Sequence, residues 1–295
     1  MRPSLEAELS YRKALRELVA HWSDRVLEAI GSHLAASVDD ARTDARETAL
    51  EKSIRLASRP ANDAIGVQRA RDEVRAGLLR VRADARGEGK RQRRVVDTIA
   101  GKVDKSNARE FERVIGINAK QLSAPISIDI ERFRTENVEL IESIPSNMLD
   151  QVSNVVDEAW SNGTRVETLS AQLQERFDVT KSRGDLIARD QTLKLNSKLA
   201  SSRAQSAGIT SYIWTTTRGE RVRGNPDGEY PNPTKTGRIV ADHWRLEGQR
   251  FRYDDPPIVN EATGDRANPG EDYQCQCTAA PVLDFLEGNA DNEDE

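Results

Sequence analysis

The spacing of hydrophobic residues divides the chain into two unlike parts. Up to residue 207, apolar side chains recur every three or four positions, which is the period of an amphipathic α-helix. The first stripe predicts a helix over residues 5–36, with Trp22 in the core. Later stripes predict helices over residues 38–59, 67–87, 95–117 and 126–141, with breaks before Pro60, at Gly87–Gly89 and at Pro125.

Helix start and stop signals are clearer between residues 146 and 208. Ser146 follows Pro145 and is a suitable N-cap, so a new helix is predicted to begin there. Thr164 and Glu167 have the spacing of a capping box for a second helix. Thr180 or Ser182 is predicted to start a third helix, which Gly208 ends.

After Gly208 the hydrophobic period falls from 3.6 to 2, which indicates strands. Residues 212–217 predict a strand, and residues 218–220 a tight turn that leads into a returning strand at 221–223. Residues 225–237 predict a long loop, residues 239–246 a strand or a short helix, and residues 254–270 an irregular segment.

The predicted fold class is therefore α+β, with an extended, mostly helical N-terminal body followed by a small module rich in strands and loops. We assign residues 1–145 to the helical N-terminal region and residues 146–207 to the helical part of the module. Residues 208–283 form its α+β part, and residues 284–295 an acidic tail.

The composition of the chain argues against several classes of protein. The 295 residues carry a net charge of −5, so the whole chain is no obvious nucleic-acid binder. No apolar run is long enough for a membrane span, no signal peptide is visible, and two cysteines favour a reducing compartment.

Residues 69–94 are positively charged, unlike the chain as a whole, because they hold ten basic and four acidic residues. Such a segment could contact DNA phosphates or an acidic partner, and the alternative is a solvated helix surface. The candidate contact residues are Arg71, Arg75, Arg82, Arg86, Lys90, Arg91, Arg93 and Arg94.

Signatures of phosphate-binding loops, dinucleotide sites, serine hydrolases and zinc proteases are absent, so we expect no enzyme and no catalytic residues. One constellation suits zinc, namely His243 with Cys275 and Cys277. A fourth ligand would have to be a carboxylate such as Asp242 or Asp272. Alternatively, His243 hydrogen-bonds a loop and the cysteines pack as small apolar side chains.

Three segments resemble a known family when they are taken in order. They read YIWTTTRGERVR (212–223), DHWRLEGQRFRYDDPP (242–257) and NPGEDYQCQCTAAP (268–281). Together with LIARDQT (186–192) upstream, this order is similar to the Mu F-like minor head proteins of tailed bacteriophages, also called phage head morphogenesis proteins. The resemblance covers residues 130–283. This chain departs from the family in an inserted loop at 225–237, in Gly219 and Gln276 within the motifs, and in Asp190–Gln191.

The resemblance implies a structural role in head morphogenesis, with the protein inside the virion near the portal after assembly in the host cytoplasm. The implied partners are the portal protein, the major capsid or scaffold proteins, and packaged DNA. Two alternatives stay open: a zinc-stabilised nucleic-acid binder without a capsid role, and an enzyme of the toxin or transferase type that accompanies such modules. The residues predicted to form the module's core are Trp214, Val222, Trp244, Phe251, Pro269 and Gly270.

Overall fold

A computed structural model describes residues 3–35, 64–122, 125–162 and 166–283. The helix predicted over residues 38–59 and the acidic tail at 284–295 lie outside the described residues.

The described residues contain five α-helices, all in the first 206 residues, followed by short strands. This confirms the α+β class and the order of its two parts. The helices run α1 Leu5–Ala35, α2 Ala64–Gly87, α3 Gly89–Ile115, α4 Ile126–Asn162 and α5 Val166–Ser206.

Two predicted helix starts are wrong, because α4 and α5 each continue through them. The helix α4 passes through Pro145, and the hydroxyl of Ser146 donates to the carbonyl of Glu142 instead of capping a new helix. The hydroxyl of Thr180 likewise donates 2.8 Å to the carbonyl of Arg176 within α5. Serine and threonine make such backward bonds inside helices, so their presence alone does not mark a helix start.

A small antiparallel sheet follows the helices. Strand β1 (Ser211–Thr215) lies between β2 (Arg250–Arg252) and β5 (Thr278–Pro281), with Tyr212 opposite Phe251 and Trp214 opposite Ala279. Strands β3 (Ile258–Asn260) and β4 (Asp265–Arg266) form a separate hairpin within the segment that was predicted to be irregular. The residues predicted as a strand or short helix at 239–246 end in a 3₁₀ helix, Trp244–Leu246.

The predicted hairpin from residues 212–217 to residues 221–223 is wrong. Residues 221–223 lie in turns, where the amide of Val222 donates 3.1 Å to the carbonyl of Gly219. The returning partner of β1 comes from farther along the chain, since Trp214 exchanges backbone hydrogen bonds with Gly248 and Gln249. Local spacing could not reveal this pairing, because the connection is a long one.

The chain forms two compact units. One consists of residues 1–10, 97–135 and 188–295, and contains the sheets; the other consists of residues 11–96 and 136–187 and is helical. In the helical unit, Trp22 is fully buried, as predicted, and Tyr11 donates 2.8 Å to the side-chain oxygen of Asn137. No described helix is long and apolar enough to cross a membrane.

The core of the sheet-containing unit is built around Tyr212 and Trp214, both fully buried, together with Leu246 and Tyr253. Val222, Pro269 and Gly270 are buried but are not members of this cluster, and Phe251 packs against it while half-buried. The prediction for Trp244 is wrong, because its side chain is only half-buried and lies outside the cluster. Leu246, two residues later in the 3₁₀ helix, occupies the core position instead.

Candidate metal centre

The first ligand candidate, His243, is fixed by a tight backbone contact. The amides of His243 and Trp244 both donate 2.9 Å to the carbonyl of Arg223. Arg223 is followed by Gly224, where an added Cβ would lie 1.9 Å from a carboxylate oxygen of Asp242. The segments at residues 221–223 and 242–244 are therefore held side by side, although Asp242 lies nineteen positions after Arg223 in the sequence.

The two cysteines lie in the loop before β5. The amide of Gly270 donates to Cys275 Sγ at 3.4 Å, and the hydroxyl of Ser197 on α5 donates to the carbonyl of Pro269. The amide of Gln274 donates 2.6 Å to Oδ1 of Asp190, also on α5. Helix α5 thus anchors the loop at two points, Pro269 and Gln274.

The structure brings the three predicted ligands together. The Nδ1 atom of His243 lies 3.3 Å from Cys275 Sγ and 3.8 Å from Cys277 Sγ, and the three atoms are all within 4.8 Å of one another. All three side chains are buried, and both cysteines are free thiols. Imidazole nitrogen and sulfur at this separation form a donor set for a soft divalent metal ion.

Neither carboxylate that was considered as a fourth ligand joins this group. Asp272 lies on the opposite ring nitrogen, with its Oδ2 3.0 Å from Nε2 of His243. Asp242 accepts hydrogen bonds from the backbone of Arg245 and the side chain of Asn232. Asp272 instead orients the imidazole, since it holds the ring by the nitrogen that faces away from the sulfurs.

Asp272 is held in turn by a second set of donors. Arg223 donates 2.6 Å to its Oδ2 through Nη1, and the amide of Tyr273 donates 2.7 Å to its Oδ1. Burial alone would raise the pKa of Asp272, but the hydrogen bond with His243 and the charge of Arg223 outweigh it and lower the pKa to about 2. The carboxylate is therefore ionised at neutral pH.

Burial and hydrogen bonds also shift the pKa values of His243, Cys275 and Cys277. Burial alone would lower the pKa of His243, but hydrogen bonds with Asp272 and Cys275 outweigh it and raise the pKa. The hydrogen bond between the two sulfurs lowers the pKa of Cys275 and raises that of Cys277, since one proton then serves both atoms. Cys275 is thus the more acidic thiol of the pair.

A cleft with a volume of about 370 Å³ opens beside the cluster. His243, Cys275 and Cys277 all line it, and its other wall comes from the turn at residues 217–223. Arg221 and Glu229 at the cleft form an ion pair of 3.2 Å. The three candidate ligand residues therefore border a cleft on one side of the unit.

The predicted basic contact residues lie elsewhere, on α2 and the start of α3. Two of them are neutralised locally: Arg75 pairs with Asp157 at 2.9 Å, and Arg82 pairs with Asp150. Arg91 lies 3.6 Å from Glu88, while Arg71 and Arg94 have interactions of their own. The side chains that are exposed and form no ion pair among the described residues are Arg86, Lys90 and Arg93.

The sequence predicted the three candidate ligands but indicated no role for Arg223 or Asp190. Both stand in the segments that carry the family resemblance, which was the signal available for them. Their roles depend on contacts across 49 and 84 residues, which no local pattern can predict.

Comparison with known families gives no match, and no solved structure matches the chain. Among curated proteins, an uncharacterised protein of Haemophilus influenzae is 33% identical over 171 residues, which is 58% of this chain and 33% of that protein. The chain therefore spans about a third of the length of the relative that it matches. The similarity brings no activity with it.

Proposed function

We propose that this chain is a minor head protein of a tailed bacteriophage, which acts structurally in head morphogenesis by binding the portal protein or the inner capsid and scaffold proteins. In this proposal it is assembled in the host cytoplasm, lies inside the head near the portal, and has no enzymatic activity. It assists DNA packaging or ejection through contacts alone.

One observation supports the proposal: the segments that carry the family resemblance converge in space. Trp214 packs edge-on against His243 with ring centroids 5.5 Å apart, and Arg223 reaches Asp272 beside the cysteine loop. Helix residue Asp190 binds the same loop. Segments that matched the family by chance would not be expected to contribute to one buried cluster. Segments of a single folded module would be expected to do so.

The test is quantitative mass spectrometry on purified procapsids and virions of a phage that encodes this chain. We expect the protein in both particles, in far fewer copies than the major capsid protein, and resistant to external protease until the heads are opened. Its absence from both particles, or its digestion on intact heads, would contradict the proposal.

A matched pair of variants links the particle assay to the module. Trp214→Ala removes a fully buried side chain, whereas Tyr230→Ala removes one that is 51% exposed. We expect the first variant to be lost from particles and the second to be incorporated normally. Equal incorporation of both would show that the module does not direct the protein to the head.

A second candidate function, contact with nucleic acid, is favoured by the exposed Arg86, Lys90 and Arg93 at the junction of α2 and α3. Each phosphate contact contributes about 0.9 to the slope of log affinity against log salt concentration. Replacing all three residues with alanine is therefore expected to reduce the slope by about 3. The control removes three exposed basic residues elsewhere, Lys105, Arg109 and Arg132, and an equal effect from it would contradict a local site.

A further inference from the structure

We propose that His243, Cys275 and Cys277 bind one zinc ion, whose fourth position is filled by an exchangeable water from the adjoining cleft. This site is independent of any role in a phage head, because it concerns only the chemistry of the buried cluster. Its test can fail without affecting the particle experiment, and the reverse also holds.

The distances fit a tetrahedral zinc ion. Zinc bonds of about 2.3 Å to sulfur and about 2.0 Å to nitrogen, at a tetrahedral angle, place the two ligand atoms about 3.5 Å apart. The two separations from His243 Nδ1, 3.3 Å to Cys275 Sγ and 3.8 Å to Cys277 Sγ, lie on either side of that value. Movements of a few tenths of an ångström would therefore admit the ion.

The orientation of His243 is that of a metal ligand. The Nε2 atom lies 3.0 Å from Oδ2 of Asp272, so a neutral ring that donates to this carboxylate through Nε2 directs the lone pair of Nδ1 toward the two sulfurs. A carboxylate behind a ligating histidine fixes the tautomer and makes the imidazole a stronger donor. Arg223 and the amide of Tyr273 hold the carboxylate in that position.

The two sulfurs favour zinc over a hard cation such as magnesium. Thiolate and imidazole are the ligands that zinc prefers, and magnesium requires oxygen. Two buried thiolates side by side would repel each other, and a divalent cation between them offsets both charges. The amide of Gly270, which points at Cys275 Sγ at 3.4 Å, is a further donor suited to a metal-bound thiolate.

The fourth position faces the cleft. Within the part of the chain that the structure describes, the ligand group contains three side chains and no fourth histidine, cysteine or carboxylate. Three protein ligands and an accessible position are the arrangement in which zinc retains a bound water. The cleft of about 370 Å³ is lined by all three ligands, so water or a small ligand can reach the ion.

The primary experiment uses the full chain, purified under reducing conditions and supplied with zinc or cobalt. We expect one zinc per chain by elemental analysis, retained through dialysis. The cobalt form should show the visible bands of a tetrahedral ion and a sulfur-to-cobalt charge-transfer band. Folded wild-type protein with less than about 0.1 metal ion per chain would overturn the proposal.

Substitutions assign the ligands. Replacing one thiolate, as in Cys275→Ser or Cys277→Ser, should weaken metal binding and reduce the charge-transfer band by about half where metal is still bound. His243→Ala should weaken binding and leave the sulfur band. Gln276→Ser, between the two cysteines, is the matched control and should retain one metal ion. Retention of full affinity by all three ligand variants would overturn the site.

Two further measurements use only the wild-type chain and so do not depend on variants that fold. Zinc should protect both thiols from alkylation in the native protein, and unprotected thiols would contradict the ligand assignment. Adding 2-mercaptoethanol to the cobalt form should intensify the sulfur band, since a third sulfur replaces the water. A band that stays unchanged until the metal is removed would overturn the open fourth position.

Discussion

The carboxylate of Asp190 on α5 accepts a hydrogen bond of 2.6 Å from the backbone amide of Gln274, the residue before Cys275. Asp190 is 5% exposed, and its other oxygen lies 2.8 Å from Nζ of Lys194. A long helix thus fixes the cysteine loop by a charged hydrogen bond.

The first prediction concerns that bond. Asp190→Ala is expected to lower the free energy of unfolding by about 2 kcal/mol, because it removes the acceptor of a part-buried backbone amide and the ion-pair partner of Lys194. Hydrogen exchange should accelerate in the loop at residues 268–277 more than elsewhere in the same unit. Glu175→Ala, on the exposed face of the same helix, is the control and should change neither quantity. Unchanged exchange in the loop of Asp190→Ala would contradict the anchoring role.

The second prediction concerns the core. Trp214 is fully buried in strand β1 and packs edge-on against His243, so Trp214→Ala should cost about 3–5 kcal/mol of stability. Tyr230→Ala, at an exposed side chain, should change stability by less than about 0.5 kcal/mol. Chemical denaturation of the two variants measures the difference, and a near-native Trp214→Ala would place the indole outside the core.

The third prediction concerns pH. Burial alone would raise the pKa of Glu247, but hydrogen bonds from the amide of Thr216 at 2.6 Å and from the Arg218 guanidinium outweigh it and lower the pKa. A carboxyl whose pKa is lowered by folding stabilises the fold above its unfolded-state pKa. That stabilisation is lost as pH falls through the folded-state value.

Glu247→Gln should therefore lower the free energy of unfolding by about 1 kcal/mol at neutral pH, a modest value because the group is partly exposed. The difference from the wild type should shrink as pH falls below 4.5, the ordinary value for this carboxyl. Denaturation at a series of pH values measures it, with the exposed Glu220→Gln as control. A difference that grows toward acid pH would contradict the sign.

Much of the fold could be predicted because helices and strands have local periods. The stripe through Trp22, the stop at Gly208 and strand β1 all follow from neighbours in sequence. The failures have two causes, one local and one distant. Ser146 and Thr180 have the chemistry of helix caps, yet each bonds backward within a continuous helix. Strand β1 pairs with residues that follow a long connection and not with those that follow the nearest turn.

For the candidate site too, the sequence predicted what depends on residue type and missed what depends on contacts between distant residues. The residue types of His243, Cys275 and Cys277 predicted which side chains could share a metal. The role of Asp272 was predicted only in part. The sequence indicated an acidic residue near the site, but it could not show that the carboxylate contacts Nε2 of His243, the ring nitrogen that faces away from the sulfurs. That placement comes from Arg223, which contacts both the histidine backbone and the carboxylate.

The last prediction separates two contributions to the cost of a side chain at Gly224, namely the steric clash with Asp242 and the unfavourable backbone conformation. Its φ of +85° disfavours any side chain, and a Cβ there would also lie 1.9 Å from Oδ1 of Asp242. Gly237 has nearly the same backbone, with φ +78°, but nothing lies within 4 Å of its Cβ position. Gly237→Ala should thus cost only the conformational part, about 1 kcal/mol, and Gly224→Ala should cost more.

The double variant Gly224→Ala with Asp242→Ala tests the steric part directly. Removing the carboxylate should recover most of the excess cost of Gly224→Ala over Gly237→Ala, seen as a favourable coupling free energy in a double-mutant cycle, and the contact of 3.1 Å with the Cα of residue 242 should remain. The conformational cost at φ +85° should remain. Because Gly224 follows the carbonyl that holds His243, Gly224→Ala should also weaken cobalt binding, whereas Gly237→Ala should not. Additive effects in the cycle, with equal cobalt affinity in both glycine variants, would show that the close approach does not position the histidine.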